Sequence, residues 1–438
     1  MDWREEYQRK LGSAEDAMKA VRRGDLVVIP LAGPRVLPGA LFRHCTENGV
    51  SIDLRVTTPL TDPGWFQPGH EQTFRVEFEL FIGDFARHAV DEGRATYLPN
   101  LFSLAGKELE EERTERRAVA VFLVSVTPPD DNGYVCFGAH NWNKRSYTRR
   151  ARTVIAEVDA GLRPVCGDNR VHVSEIEAFV EIPPVQITRG LVEAWLRRVD
   201  DEDKRAAYLS IVDELGEDVD RLIVVGPIMT RLPPEQVRRL LGLAEPPEVA
   251  KAICGYVGDL VPDGATIQIG AGEPSMYLAR TGVFDNKHDL GLHSEMVAPG
   301  RLVEGGVING LRKTLHPGMA IASAWSGSDS EDLKIVTNNP KFRTGYGGGG
   351  AGRPDRIPLS RGRRARVPGR RVAGRARASR SAHDSDCEHQ TGVRARHDVA
   401  TVLRRRTGGT VADAQLLHPL LLEGVAAGVR RPVLPLSD

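Results

Sequence analysis

The sequence contains no CxxC pair, no apolar run approaching the roughly 18 residues that span a bilayer, and no apolar stretch near its start. Its five cysteines, Cys45, Cys136, Cys166, Cys254 and Cys387, are odd in number and scattered. That indicates neither a disulfide framework nor a zinc knuckle, and it fits a reducing compartment. The opening MDWREEYQRKLGSAEDAMKAVRRGD is charged and helix-like, without the apolar centre of a secretion signal. The expectation is a soluble, untargeted, cytoplasmic chain with no membrane partner. Net charge is also lacking, because 59 basic and 59 acidic side chains cancel over 438 residues. A hydrophobic content of 41% nevertheless suffices for one large or two medium globular domains.

The cancellation hides an asymmetry. Residues 1–341 carry 40 basic and 51 acidic side chains, whereas 342–438 carry 19 and 8. Lysine is missing from that basic segment: its 19 cations are all arginine, while residues 1–341 mix 30 Arg with 10 Lys. A surface selected for charge would use some lysine, and Arg, Gly, Ala, Pro and Ser are what GC-rich codons give in any frame. Two readings follow, a disordered basic tail and an out-of-frame translation. Neither predicts a packed core after Phe342, since apolar periodicity is absent until AQLLHPLLLEGVAAGV.

The first part alternates short apolar runs with helical patterns: DLVVIPLAG, SIDLRVTTPL, FELFIGD, AVAVFLVSV and RTVIAEVDA. Such runs predict βα units around a buried parallel sheet over residues 1–182. Residues 183–247 turn polar and helical, with one apolar run, RLIVVGPIM, and are expected to form an insertion or connector. A second α/β pattern opens at 248, with a turn at Pro262–Gly264, a strand over Ala265–Ile269, a glycine loop and a helix. A further strand is predicted at Asp289–His293.

Three stretches invite chemistry. In IQIGAGEPSMYLA, Gly270, Ala271 and Gly272 stand at a strand–helix junction, where backbone N–H groups approach a ligand closely. The third glycine of GxGxxG is lacking, which argues against a nicotinamide enzyme. In VTPPDDNGYVCFG, Pro128 and Pro129 fix the exit from an apolar strand, Asp130–Gly133 make a turn, and Tyr134–Phe137 resume extended structure. That could be a plain connection, but the carboxyl end of a parallel strand is where α/β sheets place ligands. In GLHSEMVAPG, Glu295 follows a short strand and could face the same crevice as the glycine turn. The basic stretch HNWNKRSYTRR, with His140, Trp142, Lys144 and Arg149, reads as a solvated helix start more readily than as a phosphate clamp. His172 and Glu175 read as a structural turn rather than a metal site, and Cys136 and Cys166 as buried small apolar residues.

These three stretches, in this order, resemble the acetyl-CoA hydrolase/transferase family, which includes 4-hydroxybutyrate and acetate CoA-transferases and has the class I CoA-transferase fold. The resemblance extends through GDLVVIPLAGPRVLPGAL, FIGDFARHAVDEGRATYLPN, VSVTPPDDNGYVCFG, RTVIAEVDAGLRPVCGDNRVHVSEIEAFVE, DGATIQIGAGEPSMYLA, HDLGLHSEM, GVINGLRKTLHPGMAIAS and NNPKF. It implies two related open α/β domains, 1–182 and 248–342, the second incomplete, around an acyl-CoA site, with 343–438 an atypical tail. It also implies that Glu295, in the setting His293-Ser294-Glu295-Met296, is the nucleophile of a ping-pong reaction through a glutamyl-CoA thioester. Gly270, Ala271 and Gly272 would donate to developing oxyanions, and Pro128, Pro129, Asp130 and Gly133 are substrate-loop candidates. The substrates would be an acyl-CoA and a small carboxylic acid; no metal or bound cofactor is implied, and a homodimer is expected.

The sequence departs from that pattern in Glu273 and Ser275, and more gravely after Phe342, where the family continues with further strands and another glycine-rich loop. Read one base on, codons for Arg396–Val402 can spell V-M-T-S-P-R, which resembles a family stretch. Two other outcomes stay open: hydrolysis of acyl-CoA through the same glutamate, and an inactive truncated member. Nucleic acid binding by the arginine-rich tail is disfavoured, because interleaved aromatics and lysine are missing.

Overall fold

In a computed structural model of the chain, the residues described are 2–57, 63–79, 89–99, 117–184, 188–197, 199–216, 219, 222, 229–230, 232–270, 274–294, 299–325 and 330–345. Among the described residues the first half supplies nine strands: β1 (Leu26–Ile29), β2 (Ile52–Val56), β3 (Phe74–Glu79), β4 (Ala95–Leu98), β5 (Val121–Val126), β6 (Tyr134–Cys136), β7 (Thr153–Asp159), β8 (Arg170–His172) and β9 (Ala178–Ile182). Seven of them form one sheet in the order β4-β3-β2-β1-β5-β7-β9, every pair parallel. β6 and β8 pair antiparallel as a separate ribbon.

Burial follows from position in the sheet. β5 lies inside the sheet, between β1 and β7, and every residue of VFLVSV is buried, as expected for a strand covered on both faces. On one face Val27, Leu54, Phe78 and Leu123 pack with Met18, Leu41 and Cys45 from the helices Ala14–Met18 and Leu37–Asn48. On the other, Val28, Phe122, Val124 and Ala156 pack with Tyr7, Tyr147 and Phe179. The helix Leu37–Asn48 ends at Gly49, whose φ of 63° suits a left-handed C-cap that a side chain would disfavour.

Downstream, the helices Arg189–Leu196, Glu202–Leu215 and Pro234–Leu240 share a core of their own, with Val192, Tyr208, Ile211 and Val237 fully buried. A second sheet follows: β10 (Thr266–Ile267), β11 (Gly291–Ser294), β12 (Ala320–Ala322) and β13 (Phe342–Thr344), in that order and all parallel. Leu292, Ala322, Trp325 and Phe342 pack there against Cys254 from the helix Glu248–Leu260. The protein is thus an α/β fold built on a large parallel sheet.

Several sequence expectations shift. The strand expected at Asp289–His293 begins only at Gly291, because Asp289 is left-handed (φ 57°) and its carboxylate binds Asn309 Nδ2 and Arg312 Nε. The strand expected at Ala265–Ile269 shrinks to Thr266–Ile267. Where a helix was expected beyond the glycine loop there is a single 3-10 turn, Ser275–Tyr277, and Gly282 at φ 73° breaks the chain soon after. Packed structure also runs past the boundary expected at Phe342. Thr344 is buried, donating its N–H to Cys166 O at 2.8 Å and accepting from Asp168 N at 3.1 Å, and Gly345 N donates to Ala322 O at 2.9 Å. Residues 346–438, and with them nearly all of the arginine-rich segment, lie outside the described residues, as do most of the apolar run RLIVVGPIM and the second half of FELFIGD. Among the described residues no helix is long and apolar enough to cross a membrane.

Candidate active site

In the seven-stranded sheet β2, β3 and β4 lie on one side of β1, and β5, β7 and β9 on the other. Chain order therefore reverses between β1 and β5, and the crevice beyond the carboxyl ends of those two strands is where doubly wound sheets bind ligands. The loop leaving β1, Pro30–Val36, is built on a buried anion. Glu157 of β7 is fully buried and accepts from the backbone N–H of Arg35 (2.7 Å), Val36 (2.7 Å) and Leu37 (3.1 Å). Those donors are orphans at the start of the helix Leu37–Asn48, so the carboxylate both satisfies them and complements the helix dipole. The Arg35 guanidinium pairs with Asp159 at the end of the same strand.

The loop leaving β5 carries Pro128, Pro129, Asp130 and Gly133. Pro128 is exposed and Pro129 and Asp130 half-buried. Asp130 Oδ1 accepts from Asn132 N and Tyr134 N, both at 3.0 Å, and its Oδ2 pairs with Arg170 Nη1 at 3.0 Å. Both carboxylate oxygens thus hold the turn into β6. Gly133 adopts φ 79°, and an added Cβ would lie 2.7 Å from Trp3 Cγ. The structure brings these four residues to the switch point, with Asp130 and Gly133 shaping the loop. His172 and Glu175 form a reciprocal cap: Ser174 N donates to His172 Nδ1 at 3.2 Å and His172 N to Glu175 Oε1 at 3.2 Å. Among the described residues no three His, Cys, Asp or Glu side chains cluster as a metal site.

The stretch His140–Arg150 differs most from its expected solvated state. Lys144 opens the helix Lys144–Arg150 yet is 1% exposed, and Ser146, Tyr147 and Thr148 are buried with it. Its Nζ donates to Ala32 O in the β1 loop at 3.1 Å, and burial pushes the ammonium down to about 7. The His140 Nδ1 is occluded, with no hydrogen-bond partner among the described residues. Burial first and the Lys144 charge second push that imidazole down to about 3. Cys136 at the end of β6 is buried, which raises its thiol, while Cys166 is only half-buried.

The second sheet aims its carboxyl ends at this region. Ser323, just after β12, accepts from Asn141 N at 3.0 Å and donates its own N–H to Ser294 O, the end of β11, at 3.3 Å. Trp325 N donates to Ala139 O at 2.9 Å. Ser294 is fully buried and tied to the neighbouring segment: Ile269 N donates to its Oγ at 3.1 Å, and that Oγ donates to Ile269 O at 2.6 Å. Gly270 follows, its carbonyl accepting from Ser275 Oγ at 3.1 Å. Glu295, Ala271 and Gly272 lie outside the described residues.

An open cavity of about 530 Å³ lies elsewhere, at the amino ends of β2–β4, lined by Asp53, Glu71, Arg75, Glu77, Arg94 and Arg117. Asp53 pairs with both Arg75 and Arg117, and Arg117 also reaches Glu77 at 3.3 Å. With these guanidiniums already engaged and the strands' carboxyl ends pointing away, the cavity offers less chemistry than the switch point.

Comparison with known proteins bears on the family and the fold. The model of the acetyl-CoA hydrolase/transferase N-terminal domain matches residues 1–204. A 4-hydroxybutyrate coenzyme A transferase of Clostridium kluyveri is 30% identical over 349 residues, 78% of this chain and 67% of that protein. A butyryl-CoA:acetate CoA-transferase of Anaerostipes caccae is 24% identical over 325 residues, 72% of this chain and 60% of that protein. Among solved structures, RipA from Yersinia pestis superposes with a TM-score of 0.58 at 22% identity, covering 78% of this chain and 70% of that one. A 4-hydroxybutyrate CoA-transferase from Porphyromonas gingivalis gives 0.50 at 20%, covering 78% and 69%. At these identities the structural likeness is one of fold. The chain spans about two thirds of the length of the curated relatives it matches.

Proposed function

The chain belongs to the acetyl-CoA hydrolase/transferase family, and on that premise we propose that it moves CoA from a short-chain acyl-CoA to a small carboxylic acid. In this reading the Glu295 carboxylate attacks the thioester carbonyl and expels CoA thiolate, giving an acyl-glutamyl anhydride. The thiolate then attacks the glutamyl carbonyl of that anhydride, releasing the first acid and leaving glutamyl-CoA. An acceptor carboxylate runs the two steps in reverse. A carboxylate is a weak nucleophile, so the rate must come from holding the reactants together and from donors to the developing oxyanions.

The supporting observation is the meeting of carboxyl ends. Ser294, one residue before Glu295 in sequence, is linked through Ser323 to Asn141, in the segment that ends at the buried Lys144. Ser294 is held on its other side by Ile269, next to Gly270.

The test supplies butyryl-CoA with and without acetate and follows acetyl-CoA and free CoA. Acetate-dependent formation of acetyl-CoA, with little free CoA, supports the transferase. CoA release independent of acetate means that water reaches the intermediate, which makes the protein a hydrolase.

A further inference from the structure

We propose that Lys144 is the buried cation that receives the carboxylate of the small acid, first the one leaving the acyl-CoA donor and then its replacement. The identity of that acid rests on the transferase reading above; the cation itself is argued from geometry.

Lys144 is 1% exposed and donates to one carbonyl, Ala32 O at 3.1 Å; among the described residues no carboxylate pairs with it. An ammonium taken out of water without a counter-ion is costly, so the empty site favours the neutral amine and an arriving anion favours the charged form. The groups packed around it supply no such anion. Cys136, from β6, is a thiol that burial keeps protonated, and His140, from the adjoining segment, is held neutral by burial. In the β1 loop Arg35 is paired with Asp159, and Glu157 is engaged by three backbone N–H groups.

Anchoring the β1 loop does not account for the lysine, because Glu157 already anchors it and a neutral donor would serve as well. Position points to a ligand instead. Lys144 bridges the switch-point loop and the segment that hydrogen-bonds to the end of β12. Two non-glycine residues beside it hold left-handed backbone, Ala32 at φ 48° and Trp142 at φ 41°, a cost that proteins keep chiefly at functional sites. In a ping-pong exchange the departing and entering acids use the same place, so one cation serves both.

An ammonium poised near neutrality when the site is empty regains its proton when an anion arrives. The test is calorimetric titration with butyrate of the full-length protein, K144R and K144M, each checked for a native far-ultraviolet spectrum, at pH 6 and pH 8 in buffers of different ionisation heat. Wild type is expected to take up a proton on binding at pH 8 and none at pH 6. K144R, permanently charged, should bind without uptake at either pH, and K144M should bind about 10- to 100-fold more weakly. Equal affinity of wild type and folded K144M, or binding at pH 8 without proton uptake, overturns the proposal. If K144M does not fold, K144R decides alone: lost uptake with retained binding supports the assignment, and retained uptake overturns it. Labelling of Glu295 by butyryl-CoA is followed in parallel. Label with unaltered Lys144 variants refutes only this assignment, whereas proton-linked butyrate binding without label refutes the transferase reading and leaves Lys144 as a carboxylate site.

Discussion

Replacing Glu157 by glutamine keeps the size of the side chain and removes the anion on which the β1 loop is built. In the native protein Oε1 accepts from Arg35 N and Oε2 from Val36 N and Leu37 N, at 2.7, 2.7 and 3.1 Å. A carboxamide presents one oxygen, so its NH₂ must face at least one backbone N–H in a site closed to water. Hydrogen bonds to charged groups contribute about 1.5–3 kcal/mol each, and a buried donor left unmade costs about 1–3 kcal/mol. With one bond lost, the others weakened and the carboxylate gone from the start of the helix Leu37–Asn48, E157Q should lose about 2–4 kcal/mol. Urea unfolding followed by circular dichroism measures this as a lower midpoint at unchanged slope. A change under about 0.5 kcal/mol, within the range of ordinary surface substitutions, would refute the claim that this carboxylate builds the loop.

Gly167→Ala should loosen the edge of the second sheet: Gly167 adopts φ 132°, and an added Cβ would fall 2.3 Å from Thr344 O and 2.5 Å from Thr344 N. Limited proteolysis is expected to cut G167A near β13 sooner than wild type, and equal cutting rates would contradict the contact. The imidazole of His140, pushed down to about 3, stays neutral in the fold, whereas in the unfolded chain it takes a proton near its usual value of about 6.5. The unfolded state then binds more protons between those values, so stability should fall as pH drops from about 6.5 toward 3. His140→Asn should flatten that slope in urea midpoints taken from pH 4 to 7.5, and parallel curves would contradict the assignment.

What the sequence made legible was what local pattern controls. AVAVFLVSV announces β5 because the strand is buried on both faces and so reads as an unbroken apolar run. The helices after residue 188 show as a polar, helical run, and the core they share appears only where they pack on one another. The site was legible only in part. HNWNKRSYTRR holds four cations in eleven residues and looks solvated, yet Lys144 is buried and its Nζ donates to Ala32 O, 112 positions away. Glu157 meets the N-terminal donors of a helix about 120 positions earlier. Burial of a charge is a tertiary event, and nothing in the flanking residues encodes it. The glycine loop misled in the opposite way: GAGEPS suggests a helix start, but a single 3-10 turn, Ser275–Tyr277, follows it. Glu295 carries no local signature of its own and stood out through the resemblance to the family.

The central claim is that Glu295 forms a covalent thioester with CoA. The most direct measurement incubates the purified full-length chain with butyryl-CoA, adds borohydride, and maps peptides by mass spectrometry. The account predicts reduction of the Glu295 side chain to an alcohol in wild type and none in Glu295→Ala. Folded protein with an unmodified Glu295, or with the modification on a different carboxylate, would contradict it.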